Sequence, residues 1–178
     1  MPEIVPGVAA LDAVSVGATH ACVLAEGVVR CFGDNSDGQL GTGEIGGRRA
    51  SPEVPVGLPG PAVEVSAGGW IPVAAVAPTR IEYDAPSRAH TCARLENGEV
   101  YWGGANDRGQ LGDGTTIDRA TPVRVQLDAP ASAISAGGEH TCAIVENEVL
   151  CWGDNRRGQL GADPAVEPLR TRPARVPF

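Results

Sequence analysis

Three histidines, His20, His90 and His140, each stand two residues before a cysteine: Cys22, Cys92 and Cys142. Two further cysteines, Cys31 and Cys151, follow the first and last of these, each nine positions on. Imidazoles that recur at one position could form a symmetric metal cluster if they converged on an axis. A position repeated through a chain more often satisfies the hydrogen bonds of its own fold, so the histidines are expected to be structural and no metal site is assigned. For the thiols, zinc is disfavoured because no Cys-x-x-Cys pair occurs. Cys22 with Cys31, and Cys142 with Cys151, are disulfide candidates if they sit on neighbouring strands of a hairpin with side chains on one face. The alternative is five small buried apolar residues. Bridging implies an oxidising compartment, secreted or at the cell surface; unbridged thiols imply the cytoplasm. In the middle set Tyr101 takes the second position and leaves Cys92 alone.

Other motifs carry less chemistry. Gly41, Gly43 and Gly46 match a dinucleotide fingerprint by letter, but no strand-to-helix context surrounds them. Asp34-Asn35 and Asp154-Asn155 resemble pieces of a calcium loop without its alternating ligands or closing glutamate, and turn capping explains them. No serine, cysteine or carboxylate stands beside a base in a catalytic order, and the acidic residues are scattered as on a solvated surface. The chain is therefore read as no enzyme, with no cofactor.

The elements that position these residues are repeats. His-x-Cys is followed by an apolar stretch, a turn, and Cys31-Phe-Gly33, Tyr101-Trp-Gly103 or Cys151-Trp-Gly153. Gly-Gln-Leu-Gly comes next in every copy, through Gly38 and Gln39, Gly109 and Gln110, and Gly158 and Gln159. A loop then leads to a strand-like run at Pro52, Pro122 or Pro173. Val14-Ser-Val-Gly17, Val65-Ser-Ala-Gly68 and Ile134-Ser-Ala-Gly137 open the repeats, which span approximately 14–56, 65–125 and 134–178. His90 and His140 are 50 positions apart and His20 and His90 are 70 apart, which places an insertion at 71–89. Each period holds four short β-like runs, the middle two joined by a hairpin turn at Glu96-Asn97-Gly98, and no segment has a helical period. Four strands per unit is a propeller blade.

At His-Thr-Cys-Ala, Cys-Trp-Gly-Asp-Asn and Gly-Gln-Leu-Gly the chain resembles the regulator of chromosome condensation repeat family. The resemblance covers nearly everything except the insertion. It implies an all-β propeller whose full form has seven blades, in a family with a nuclear exchange factor for a small GTPase and a similar secreted bacterial inhibitor of β-lactamases. Three blades of four antiparallel strands are fewer than the four to eight that close a propeller. Pro2-Glu-Ile-Val5 matches Pro52-Glu-Val-Pro55, so residues 1–13 read as the last strand of a preceding blade. The chain is thus an incomplete propeller, either a fragment lacking further blades or a homo-oligomer closing by self-association.

Glycine and proline, at 24 and 15 of 178 residues, fit many short strands and tight turns, and a 42% apolar content fits a packed core. The net charge is −8 and every basic residue is arginine, which excludes a general nucleic-acid footprint. No apolar run is long enough to span a membrane, so no membrane partner is expected. What breaks the repeat is the insertion, where Trp70, Arg80, Tyr83 and Arg88 are residue types that anchor protein interfaces. The alternative is a loop folded over its blade. The leading function is a noncatalytic module presenting loops to an unidentified protein partner. A guanine-nucleotide exchange factor is the alternative, and a secreted β-lactamase inhibitor a further one.

Overall fold

The protein is described by a computed structural model over residues 11–55, 57–71 and 87–177. Among the described residues, twelve strands form three antiparallel sheets of four, each in simple sequence order. Blade 1 holds β1 (Ala13–Val16), β2 (His20–Ala25), β3 (Val28–Asp34) and β4 (Arg48–Glu53). Blade 2 holds β5 (Ala62–Gly68), β6 (His90–Leu95), β7 (Val100–Gly104) and β8 (Arg119–Arg124). Blade 3 holds β9 (Ala131–Ala136), β10 (His140–Val145), β11 (Glu148–Asp154) and β12 (Leu169–Arg175).

The strand order follows from which residues tolerate an edge. Pro52, Pro122 and Pro173 lie inside β4, β8 and β12, the outermost strand of each sheet. Proline has no N–H to donate, and only an edge strand can host it without losing a ladder bond. The first strands instead lie side by side, β1 against β5 and β5 against β9. Their Val-Ser-x-Gly and Ile-Ser-x-Gly sequences permit this close approach: a Cβ at Gly68 would collide with the Gly137 carbonyl.

The core is made between sheets. Cys22, Leu24, Val29, Cys31 and Leu40 of blade 1 pack on Ala62, Val65, Ala93 and Leu95 of blade 2. Between blades 2 and 3, Trp102, Leu111 and Val100 pack on Ile134, Ala143, Val145 and Trp152, with the two indoles edge-on at 5.9 Å. Val65 and Ile134 are 7% and 8% exposed in these joints, whereas the equivalent Val14 of blade 1 is 66% exposed. Among the described residues the three sheets form an open arc and not a closed ring, as their packing runs from blade 1 to 2 and from 2 to 3. The matched strand at Pro2–Val5 lies outside the described residues.

One expected register is corrected. The turns Glu26-Gly27 and Glu146-Asn147 are two-residue loops with positive φ at both positions, so Cys22 faces Cys31 and Cys142 faces Cys151. In blade 2 the loop is three residues, Glu96-Asn97-Gly98, closed by Gly98 N–H to the Leu95 carbonyl at 2.9 Å. The extra residue moves the partner by one, so that Cys92 faces Trp102 and Tyr101 faces Ala93. Trp102, not Tyr101, holds the position of the second cysteine.

Candidate functional site

Both candidate cysteine pairs are joined, Cys22 to Cys31 and Cys142 to Cys151, and Cys92 is free and buried. Burial pushes the Cys92 thiol well above its ordinary pKa, which leaves it protonated and unreactive.

The histidines form the joints. His20 Nε2 lies 2.7 Å from Thr91 Oγ1 in the next blade, and Thr91 donates back to the Gln39 carbonyl at 2.7 Å. The second joint repeats this, with His90 Nε2 3.3 Å from Thr141 Oγ1 and Thr141 donating to the Gln110 carbonyl at 2.9 Å. Since the threonine proton goes to the carbonyl, the imidazole must be the donor to the hydroxyl, which fixes Nε2–H in the neutral ring. Burial pushes His20 down to about 4, against a raising influence from Asp34. Burial, reinforced by the neighbouring His20 and His140, pushes His90 down to about 3. Among the described residues no three metal-ligating side chains come together.

The Gly-Gln-Leu-Gly segments are loop staples. Asn35, Asn106 and Asn155 each accept the N–H five residues on, from Leu40, Leu111 and Leu160, at 2.9–3.0 Å. Gln39, Gln110 and Gln159 accept the N–H two residues back at 2.8–2.9 Å. Gly38, Gly109 and Gly158 turn the chain between them with φ of 84°, 70° and 75°. The glutamine amide nitrogens then reach Asp34 (3.3 Å) and Asp154 (2.7 Å). Blade 2 has Ala105 at that place, and Gln110 Nε2 is buried without a partner.

At the foot of the insertion, Arg88 N–H donates to the Trp70 carbonyl at 3.0 Å, clasping its two ends together. Trp70 is 48% exposed. Arg88 contacts Asp107 and lies 3.5 Å from Glu139. Arg80 and Tyr83 lie outside the described residues. Ser87 and Ala89, assigned by sequence to the inserted loop, are buried against blade 1. Ala89 N–H donates to Asp37 at 3.0 Å, and Ser87 Oγ donates to Asp34 at 2.9 Å. Burial alone would raise Asp34, but hydrogen bonds from Ser36, Ser87 and Gln39 hold it below its usual pKa.

Trp70 and Arg88 share a concave surface with residues that no sequence motif had joined to them. A cavity of about 590 Å³ is lined by Trp70, Arg88, Arg108, Glu139, His140, Asp154, Arg156, Arg157 and Gln159. Arg156 is held 2.6 Å from Asp154 and 3.0 Å from Glu139. His140 is only partly buried, and burial lowers its pKa against the raising pull of Asp154. Asp107, Glu139 and Asp154 engage Arg88, Arg108 and Arg156 within the chain, so the Trp70 indole and the exposed Arg157 guanidinium are the groups suited to a partner's apolar side chains and carboxylates. Sequence separation hid the cluster: Arg108, Arg156 and Arg157 come from loops of two blades.

Models of the regulator of chromosome condensation (RCC1) repeat match residues 12–39, 97–144 and 131–159, together just over half of the chain. The chain belongs to this family. Among its relatives, mouse X-linked retinitis pigmentosa GTPase regulator is 32% identical over 154 residues, which cover 84% of this chain and 14% of the relative. Human regulator of chromosome condensation is 31% identical over 147 residues, covering 81% and 30%. The human probable E3 ubiquitin-protein ligase HERC3 is 34% identical over 164 residues, covering 89% and 14%. The chain thus spans less than a third of these RCC1-repeat relatives. Yeast RCC1 (Prp20), in its structure bound to Kap60, superposes with a TM-score of 0.74 at 18% identity, covering 94% of this chain and 37% of that one. Human WBSCR16 superposes at 0.70 with 21% identity, covering 94% and 39%. Both likenesses bear on the fold, an RCC1 β-propeller.

Proposed function

We propose that this chain is a noncatalytic protein-interaction module, in which disulfide-braced blades hold the Trp70 and arginine surface rigid for a protein partner. The observation that carries this reading is the cavity itself: an indole and four guanidinium groups on loops of two blades, beside the foot of the one segment that breaks the repeat. Recognition sits on loops set on a rigid scaffold, and large aromatic and arginine side chains dominate interface energetics. The two disulfides support maturation in an oxidising compartment.

The second reading, nucleotide exchange on a small GTPase, is favoured by the similarity to the retinitis pigmentosa GTPase regulator and to the regulator of chromosome condensation. Two assays on one preparation separate the readings. A partner captured by the immobilised chain, with nucleotide release from candidate GTPases unchanged by it, supports the noncatalytic module. Accelerated release that is lost in Trp70→Ala would establish exchange instead.

A further inference from the structure

The Trp70 and arginine surface stands on blades 2 and 3, yet the foot of the insertion is tied down from blade 1. Asp37 Oδ2 lies 3.0 Å from the backbone nitrogen of Ala89 and 3.1 Å from Ser87 Oγ. One carboxylate oxygen thus faces donors on both sides of Arg88. The Ser87 hydroxyl is steadied further, 2.9 Å from Asp34 and 3.4 Å from the Gln39 amide nitrogen. Asp37, Gln39, Ser87 and Ala89 are all buried.

With both neighbours held on blade 1, Arg88 sends its side chain away from that blade, to Asp107 and Glu139. Its backbone N–H closes on the Trp70 carbonyl at 3.0 Å. Gly69 makes room for this, since a Cβ there would stand 2.8 Å from the Ala89 Cα. Two residues before the glutamine of Gly-Gln-Leu-Gly, where blade 1 has Asp37, blades 2 and 3 have Arg108 and Arg157. The carboxylate occurs only in the loop that lies beneath the foot of the insertion.

We infer that Asp37 is a positioning residue for the binding surface: it brackets Arg88 through Ser87 and Ala89, and so fixes where the Arg88 guanidinium and the Trp70 indole stand. What Asp37 supplies is an acceptor and not a charge. Burial raises its pKa against the hydrogen bonds from Ala89 and Ser87, and the facing carboxylates Asp118 and Asp34 add to the rise. The negative charge is therefore a cost to the clasp. A neutral side chain with an oxygen at the same place should hold Arg88 at least as well. The inference rests on the reading of this surface as a protein-binding one and names what holds it in place.

The test compares Asp37→Ala with Asp37→Asn in the full chain. Asp37→Ala removes the acceptor and is expected to speed amide exchange at both Ala89 and Arg88 at least about tenfold, the scale of one buried hydrogen bond, with β10 and β11 unchanged. The Arg88 amide is the telling one, because it bonds to Trp70 and not to Asp37. Acrylamide quenching of tryptophan emission should rise in the same variant, since Trp70 is half exposed while Trp102 and Trp152 are fully buried. Asp37→Asn should keep the slow exchange and the wild-type quenching. Ser87→Ala, which removes one side of the bracket and leaves Asp37 in place, should act as Asp37→Ala does, to a smaller extent. Faster exchange at Ala89 alone, with Arg88 and the quenching unchanged, overturns the inference. So does Asp37→Asn behaving as Asp37→Ala, or exchange that speeds throughout the chain in both Asp37→Ala and Ser87→Ala. Exchange and quenching need no partner, so their failure counts against the clasp, whereas capture that ignores an intact or broken clasp counts against the interaction reading.

Discussion

Blade 2 departs from its two neighbours at four places, and each departure is local. Blades 1 and 3 close their central hairpins with a disulfide, while blade 2 inserts one more turn residue and sets Trp102 against Cys92. Blades 1 and 3 give their glutamine amide an aspartate, while blade 2 has Ala105 and leaves Gln110 Nε2 without one. Blade 2 alone carries the insertion. Its two joints nevertheless keep the same histidine, threonine and carbonyl relay on either side. The inter-blade contacts are thus the constant part of the repeat, and the interior of a hairpin can be braced covalently or by an aromatic ring.

Breaking the ring should cost most. Trp102→Ala removes a fully buried indole from the second joint and is expected to lower stability by about 3–5 kcal/mol in chemical denaturation. Acid should come next. His20 and His90 have folded pKa values of about 4 and about 3 against 6.5 unfolded, so the unfolded chain binds the proton first as pH falls. Their contribution is fully present above about pH 6.5 and is lost between there and about pH 4 to 3, on the order of a few kcal/mol. His90→Asn should flatten that slope, measured as the thermal midpoint against pH. The double change C22A with C31A should cost about 2–3 kcal/mol by freeing the unfolded chain. Thr141→Val leaves His90 and the Gln110 carbonyl without their hydroxyl and should cost about 1–3 kcal/mol.

The register of blade 2 can be sharpened without an energy. Trp102→Cys is expected to place a thiol opposite Cys92 and form a third disulfide on oxidation, detected by mass spectrometry under non-reducing conditions. Tyr101→Cys, which faces Ala93, is expected to leave both thiols free. The reverse outcome would restore the alignment that letter matching suggests.

Much of the architecture was legible because the repeat imposes it. Proline at 52, 122 and 173 marks edge strands, and the glycines with their asparagine and glutamine neighbours mark the stapled loops. The recurrence of the histidines was legible, but their partners were not, because a relay between His20, Thr91 and Gln39 joins residues that no local period connects. The blade 2 register was misread because matching Tyr-Trp-Gly to Cys-Trp-Gly aligns letters, whereas the backbone counts turn residues. Trp70 and Arg88 were singled out by residue type and place, but Arg108, Arg156 and Arg157 were not, since each looks like an ordinary charged turn residue until two loops converge. Ser87 fell within the inserted stretch 71–89, and only the structure shows it bonded to Asp34 and Asp37.

The insertion is the departure of blade 2 on which the proposed function rests. Trp70→Ala, half exposed at its foot, should change stability by less than about 0.5 kcal/mol. The most direct measurement is quantitative capture of a partner by immobilised wild type, W70A and the double variant W70A/R157A, with thermal midpoints recorded on the same samples. The account predicts that capture falls at least about tenfold in the double variant, as for loss of interface anchors, while the midpoint stays within the scatter of the wild type. Undiminished capture, or a loss that follows the midpoint downward, would contradict it.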